Sequence, residues 1–241
     1  APKKTKTAIH DVATRAIHVG GEPDKETGAI MPPIYQTSTY VQESPGIHKG
    51  YEYTRSHNPT RTRLEECLAS LEQAKHCCVT ASGLSAEMLM MHLLPPGSNI
   101  ICGDDVYGGT YRLFTTVFNH THNFKFVDTT DLKLLEKEIK SFKPAMIWLE
   151  TPTNPLLKIT DIQAVSAMAK KAKSLVVVDN TFMSPIFQNP LVLGADFVLH
   201  SMTKYINGHS DVVGGCIMLN DDHYRKELFR LQNAIAPSQS P

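Results

Sequence analysis

From residue 60 onward, short apolar runs alternate with stretches of helical spacing. Leu64, Cys67, Leu68, Leu71 and Ala74 recur at the intervals of one helix face. An apolar run at 77–81 comes next, then a second helical pattern through Ala86, Leu89, Met90 and Leu93, ended by Pro95-Pro96-Gly97. Residues 99–102 read as a strand. Tyr111, Phe114, Val117 and Phe118 read as one helix face, 124–127 as a strand and 132–139 as a helix. Residues 145–149 form an apolar strand ending at Glu150. The helix expected over 160–173 has Thr160 and Gln163 at the spacing of a capping box. Residues 175–178 form a buried type of strand ending at Asp179. Residues 197–199 and 212–219 add two strands, and 224–235 a closing helix. Short apolar strands between amphipathic helices predict an α/β fold with a mainly parallel sheet covered on both faces.

Residues 1–60 differ. Gly20-Gly21, Pro32-Pro33 and Pro45-Gly46 interrupt them, and only 34–41 is β-prone. A segment this long and irregular needs a surface to lie on, and a partner subunit supplies one. Tyr35, Tyr40, Tyr51 and Tyr53 make 30–60 too aromatic for a free linker.

The chain has 241 residues, 41% hydrophobic and 20% charged, which is globular in character. Lys plus Arg and Asp plus Glu each total 24, so no net field favours nucleic acid or an anionic membrane. Lys3, Lys4 and Lys6 read as a solvated tail. The cysteines (Cys67, Cys77, Cys78, Cys102 and Cys216) show neither a CxxC nor a paired zinc spacing, and no metal is expected. A reducing compartment, by default the cytoplasm, suits them. No run is long enough to span a membrane.

Ligands of such sheets sit beyond the carboxyl ends of the strands, so polar residues there are the candidates. Ser82-Gly83 opens a helix, and Gly83 lets backbone N–H groups approach a phosphate; the same pair also reads as a plain helix cap. Asp179, at a buried strand end, needs a partner. A protonated ring nitrogen would serve, as would a metal or a structural bond to backbone. Glu150 is in the same position. Lys204 lies just after a strand; an amine near a buried sheet edge loses its proton more readily and forms a Schiff base with an aldehyde, though a plain surface lysine also fits. Ser201 and Thr203 beside it offer hydroxyls to a phosphate.

Ser201-Met202-Thr203-Lys204-Tyr205 with Gly208-His209-Ser210-Asp211 resembles the cofactor-lysine region of the Cys/Met-metabolism family of pyridoxal-phosphate (PLP) enzymes. Glu150-Thr151-Pro152-Thr153-Asn154-Pro155, Val178-Asp179-Asn180-Thr181, Asp105-Val106-Tyr107-Gly108-Gly109-Thr110 and Tyr53-Thr54-Arg55 before Asn58-Pro59-Thr60 resemble other motifs of the same family, in order and spacing. The likeness runs from about residue 14. It implies the large domain of an aspartate-aminotransferase-like (fold type I) transferase, a mostly parallel seven-stranded sheet between helices. It also implies pyridoxal 5'-phosphate as cofactor and a sulfur amino acid as substrate.

The resemblance further implies roles. Lys204 would bond the cofactor aldehyde and later move the α proton. Asp179 would keep the ring nitrogen protonated, Tyr107 would stack on the ring, and Asn154 would contact its hydroxyl. Ser82, Gly83, Leu84, Ser201 and Thr203 would surround the phosphate, with Glu150 nearby. Tyr53 and Arg55 would reach that phosphate from a neighbouring subunit of a homotetramer. Residues 1–60 would thus be an arm on a partner subunit and 61–241 the PLP-binding domain. The family's C-terminal domain, with an arginine that clamps the substrate carboxylate, is expected to be missing from this chain, and turnover to be weak or absent without it. The likeness is greatest to members that split cystathionine by α,γ-elimination into cysteine, 2-oxobutanoate and ammonia. Synthases, β-lyases and methionine lyases are the alternatives, as is a PLP-binding form without full activity. His57 and Leu84 depart from the usual residues.

Overall fold

Each apolar run becomes a five-residue strand. In the computed structural model, which describes residues 11–241, these are β1 His76–Thr80, β2 Asn99–Gly103, β3 Asn123–Val127, β4 Met146–Glu150, β5 Leu175–Asp179, β6 Phe197–Ser201 and β7 Gly215–Leu219. Lys3, Lys4 and Lys6 lie outside the described residues. The strands form one sheet in the order β1-β7-β6-β5-β4-β2-β3. Pairing is parallel from β3 through β2, β4 and β5 to β6, whereas β7 runs antiparallel to both β6 and β1. The expected α/β fold with a mostly parallel seven-stranded sheet is therefore observed.

Alternate residues of each strand serve opposite faces, because the side-chain period of a strand is two. Ile100, Cys102, Trp148 and Val177 enter one core, while Ile101, Ile147, Leu149, Val176 and Val178 enter the other. The first core is closed by α3 (Gly83–His92) and α8 (Asp222–Ile235), through Leu89, Met90, Leu228 and Leu231. The second is closed by α5 (Leu132–Phe142) and α6 (Ile162–Ala172), through Leu135, Ile139, Val165 and Ala169. A smaller cluster packs α2 (Pro59–Leu71) on β1, β6 and β7 through Leu68, Ala69, Val79, Val198 and Met218. α2 starts where Asn58 accepts a bond from the Thr60 N–H at 2.8 Å and Pro59 supplies a first residue that needs no acceptor.

Several sequence expectations need correction. The cap of α6 is Asp161, which accepts from the Ala164 N–H at 2.9 Å, whereas the Thr160 hydroxyl pairs with Thr129 at 2.7 Å. A carboxylate one residue nearer the first turn wins the orphan N–H. The helix after Tyr107 is not uniform. α4 (Gly108–Arg112) passes into a π-turn over Leu113–Val117, closed by the Phe118 N–H to the Leu113 carbonyl at 3.1 Å. The wider turn shifts the helical phase, so Phe114 and Phe118 are buried while Tyr111 and Val117 are exposed. β7 begins at Gly215 rather than at 212, and Val212 and Val213 are exposed in the preceding loop. Gly215 approaches the chain at Ser82 so closely that a Cβ there would lie 2.1 Å from the Ser82 carbonyl oxygen. Two short helices have no counterpart in the pattern: α1 (Val12–His18) and α7 (Ser184–Phe187).

Residues 34–41 do not form a strand; one bridge joins Thr39 to Tyr53. Tyr40 and Tyr51 pair at 5.6 Å between ring centroids. Elsewhere the segment turns apolar side chains outward, with Ile30, Met31, Ile34 and Val41 all exposed, Val41 to 92%.

Candidate active site

The parallel strands deliver their last residues to one end of the sheet. Glu150 and Asp179 are direct partners across β4 and β5, and Ser201 ends the next strand, β6. At the same end β1 runs out through Ser82 into α3. The Ser82 hydroxyl oxygen accepts from the Ser85 N–H at 3.0 Å, so Ser82 caps the helix and its first N–H groups face the sheet end. A Cβ on Gly83 would stand 3.0 Å from that of Ser201; bare backbone is what lets the helix start lie against the end of β6.

These elements enclose a cavity of about 290 Å³. Ser82, Gly83, Leu84, Tyr107, Glu150, Asn154, Asp179, Ser201, Thr203 and Lys204 all line it. Tyr53 and Arg55 do not. The Arg55 guanidinium bonds the Asn233 carbonyl at 2.7 Å and sits 5.4 Å from the centroid of the Tyr53 ring, beside a separate hollow. The cavity also takes Glu87, Thr181 and Phe182, which sequence reasoning missed. Glu87 had a signal, since it is a lone acid among the apolar residues of α3. Thr181 had another, two places after Asp179 and able to bond it.

Each functional group has a distinct setting. Asp179 is buried, and Oδ1 accepts both the Thr181 N–H at 3.0 Å and its hydroxyl at 2.5 Å. Burial pushes its carboxyl up from the usual range, against the lowering effect of those two bonds. Glu150 accepts from the Tyr107 N–H at 2.8 Å and so fixes the turn that carries the tyrosine. Burial, then the charge of Asp179, raises Glu150 to about 8. Behind them His200 and Glu72 form a buried pair, Nε2 to Oε1 at 2.5 Å, and Glu72 also accepts from Asn180 at 2.8 Å. Lys204 stands exposed at the mouth of the cavity rather than at a buried sheet edge. Thr203 exchanges bonds with Gly214, its Oγ1 accepting from that N–H at 3.1 Å.

The donor set fits pyridoxal phosphate. A helix start stripped of side chain at Gly83 suits a phosphate, an accessible amine suits an aldehyde, and a buried carboxyl with one oxygen already bonded suits a ring nitrogen. Among the described residues no three His, Cys, Asp or Glu side chains are grouped to hold a metal ion. Residues 13–241 match the family model described as Cys/Met metabolism PLP-dependent enzyme.

The chain belongs to that family of pyridoxal-phosphate enzymes. It is 54% identical over 230 residues to a probable cystathionine gamma-synthase of Herpetosiphon aurantiacus, covering 95% of this chain and 72% of the relative. It is 49% identical over 239 residues to the cystathionine gamma-lyase of Dictyostelium discoideum, covering 98% and 62%. The solved cystathionine gamma-lyase of Lactobacillus plantarum, complexed with L-serine, superposes with a TM-score of 0.93 at 43% identity, over 96% of this chain and 61% of that one. The chain thus spans about three fifths of the length of most such relatives. Pyridoxal phosphate is the family's cofactor, and its members act on small amino acids. No helix among the described residues is long and apolar enough to cross a membrane.

Proposed function

We propose that the protein is a carbon–sulfur lyase that cleaves L-cystathionine by α,γ-elimination to L-cysteine, 2-oxobutanoate and ammonia. The observation that carries this reading is the convergence of Lys204, Asp179 and Tyr107 with the Gly83 helix start in one cavity. Bound there, the cofactor supplies an electron sink for charge that develops at the substrate α carbon. Asp179, ionised against the ring nitrogen, keeps that nitrogen protonated and deepens the sink. The backbone N–H groups of Gly83 and Leu84, with the hydroxyls of Ser82, Ser201 and Thr203, would hold the phosphate. Asn154 would bond the ring hydroxyl, and Tyr107, its turn held by Glu150, would stack on the ring. The Lys204 amine at the mouth takes the α proton at Nζ and returns it later in the cycle.

Cystathionine gamma-synthase activity is the second reading, favoured by the 54% identity to a relative of that name. Residues 1–60 are proposed as an arm on a second copy of the chain and 61–241 as the cofactor domain, in a homotetramer. The exposed Ile30, Met31, Ile34 and Val41 give the arm an apolar contact surface, and Tyr53 and Arg55, outside their own cavity, would complete the neighbour's. A cytoplasmic location accords with free thiols at Cys67, Cys77, Cys78, Cys102 and Cys216. The test is product analysis of the protein loaded with cofactor. Release of 2-oxobutanoate and cysteine from cystathionine supports the lyase. Cystathionine formed from an O-acyl homoserine and cysteine, with little cleavage, supports the synthase and overturns the first reading.

A further inference from the structure

Glu87 has no role in the assignments above, yet it is one of the more constrained groups in the molecule. It sits on α3, one turn below the proposed phosphate site, is 2% exposed, and lines the cavity. Oε1 accepts from the Thr110 hydroxyl at 2.9 Å, while Oε2 is buried with no partner. Thr110 lies on α4, whose N-cap is Tyr107. Two carboxyls therefore brace the tyrosine turn, Glu150 through the Tyr107 N–H and Glu87 through Thr110.

The titratable groups around Glu87 are mostly acids. Asp179 at the end of β5 and Glu150 at the end of β4 act on it, and Glu87 in turn acts on the buried Cys102 thiol of β2. Tyr107 and Lys204 share its cavity, and the β6 residues on that wall, Leu199 and Ser201, carry no charge. A bound ring nitrogen offers one positive charge, which Asp179 answers. A second buried acid beside it, facing Asp179 and Glu150, is costly to ionise. Burial and both neighbouring carboxylates push the Glu87 carboxyl well above the usual range, in agreement with that geometry.

We propose that Glu87 is a third acid of this site and a positioning residue that works in its neutral form. Oε1 holds α4 and hence Tyr107 through Thr110, and the hydroxyl on Oε2 is donated into the cavity beside Asp179. This rests on the reading of the cavity as the pyridoxal-phosphate site. Glutamine keeps one acceptor and one donor in the same shape, so Glu87→Gln reproduces the neutral acid, whereas Glu87→Leu removes both.

The test compares wild type, Glu87→Gln and Glu87→Leu. In cofactor-free protein at pH 7, the infrared difference between wild type and Glu87→Gln is expected to contain the carbonyl stretch of a protonated carboxylic acid. Pyridoxal phosphate affinity, monitored by cofactor absorbance, is expected to stay within about threefold of wild type in Glu87→Gln and to weaken about tenfold or more in Glu87→Leu. A difference spectrum showing a lost carboxylate instead of a lost acid overturns the proposal, and decides the matter alone if Glu87→Leu does not fold. Glu87→Leu binding as tightly as wild type, or Glu87→Gln as weakly as Glu87→Leu, overturns it too. Wild-type protein that takes up no pyridoxal phosphate overturns the site assignment and the proposal together; normal wild-type uptake with either of those patterns overturns the proposal alone.

Discussion

Replacing Glu150 with Gln isolates the electrostatic load that the cofactor-free site carries. Glu150 is buried beside Asp179, and its carboxyl is raised from 4.5 to about 8. Unfolded, the same group titrates near its ordinary value. Between those two values the folded chain holds a proton that the unfolded chain releases, so folding stability falls as pH rises through that window. The full shift corresponds to about 5 kcal/mol, at about 1.4 kcal/mol for each pH unit. That is comparable with the whole stability of many domains, which lies at roughly 5–15 kcal/mol. Glutamine keeps an oxygen for the Tyr107 N–H but cannot ionise. It also removes the charge that Asp179 disfavours on Glu150. Denaturant unfolding of cofactor-free wild type and Glu150→Gln at several pH values from about 5 to about 9 reads the effect. The stability difference in favour of the variant should widen by about 3–5 kcal/mol across that range. Curves that stay parallel would refute the reasoning, because the load would then not be carried by this carboxyl.

Three other contacts give expected outcomes of their own. Gly83→Ala forces a methyl to within 3.0 Å of the Ser201 Cβ at the phosphate cradle; a strain of about 1–3 kcal/mol should weaken pyridoxal phosphate binding by about tenfold or more in an equilibrium titration. Asp161→Ala should destabilise the protein by about 1 kcal/mol in denaturant unfolding, whereas a bond from Thr160 to the α6 start, if it were the true cap, would leave that variant unchanged. Glu72→Ala strands His200 without its buried partner and leaves Asn180 short of an acceptor, so thermal melting should register a loss of about 3–5 kcal/mol.

The central strands were legible because they are buried on both faces, which writes them as continuous apolar runs such as Val176-Val177-Val178. Their carboxyl ends were legible for the same reason: Glu150 and Asp179 stand where an apolar run stops. The grouping of Lys204 with Asp179 was not written in any local pattern. It came from a likeness of motifs, and the parallel register of β4, β5 and β6 brings it about. Helix spacing failed at the π-turn over Leu113–Val117, since one wider turn breaks the period while leaving composition unchanged. Glu87 escaped notice because an acid inside an apolar helical stretch reads as the outward face. The sheet end behind it, assembled from residues far away in sequence, turns that face inward. Residues 34–41 looked like a strand from their composition, but their backbone meets 52–54 only around the single bridge of Thr39 to Tyr53, through Tyr40 to Glu52 and Thr54 to Ser38, which is too short a pairing to make a ladder. The burial expected of Lys204 likewise depended on surfaces that its own strand does not supply.

The account turns on Lys204 as the residue that bonds the cofactor. The direct measurement is borohydride reduction of the protein after incubation with pyridoxal phosphate, then peptide mass analysis. A pyridoxyl mass confined to the peptide containing Lys204, and absent in Lys204→Ala, is the predicted result. An unmodified Lys204 peptide, or the label on another lysine alone, would contradict the account.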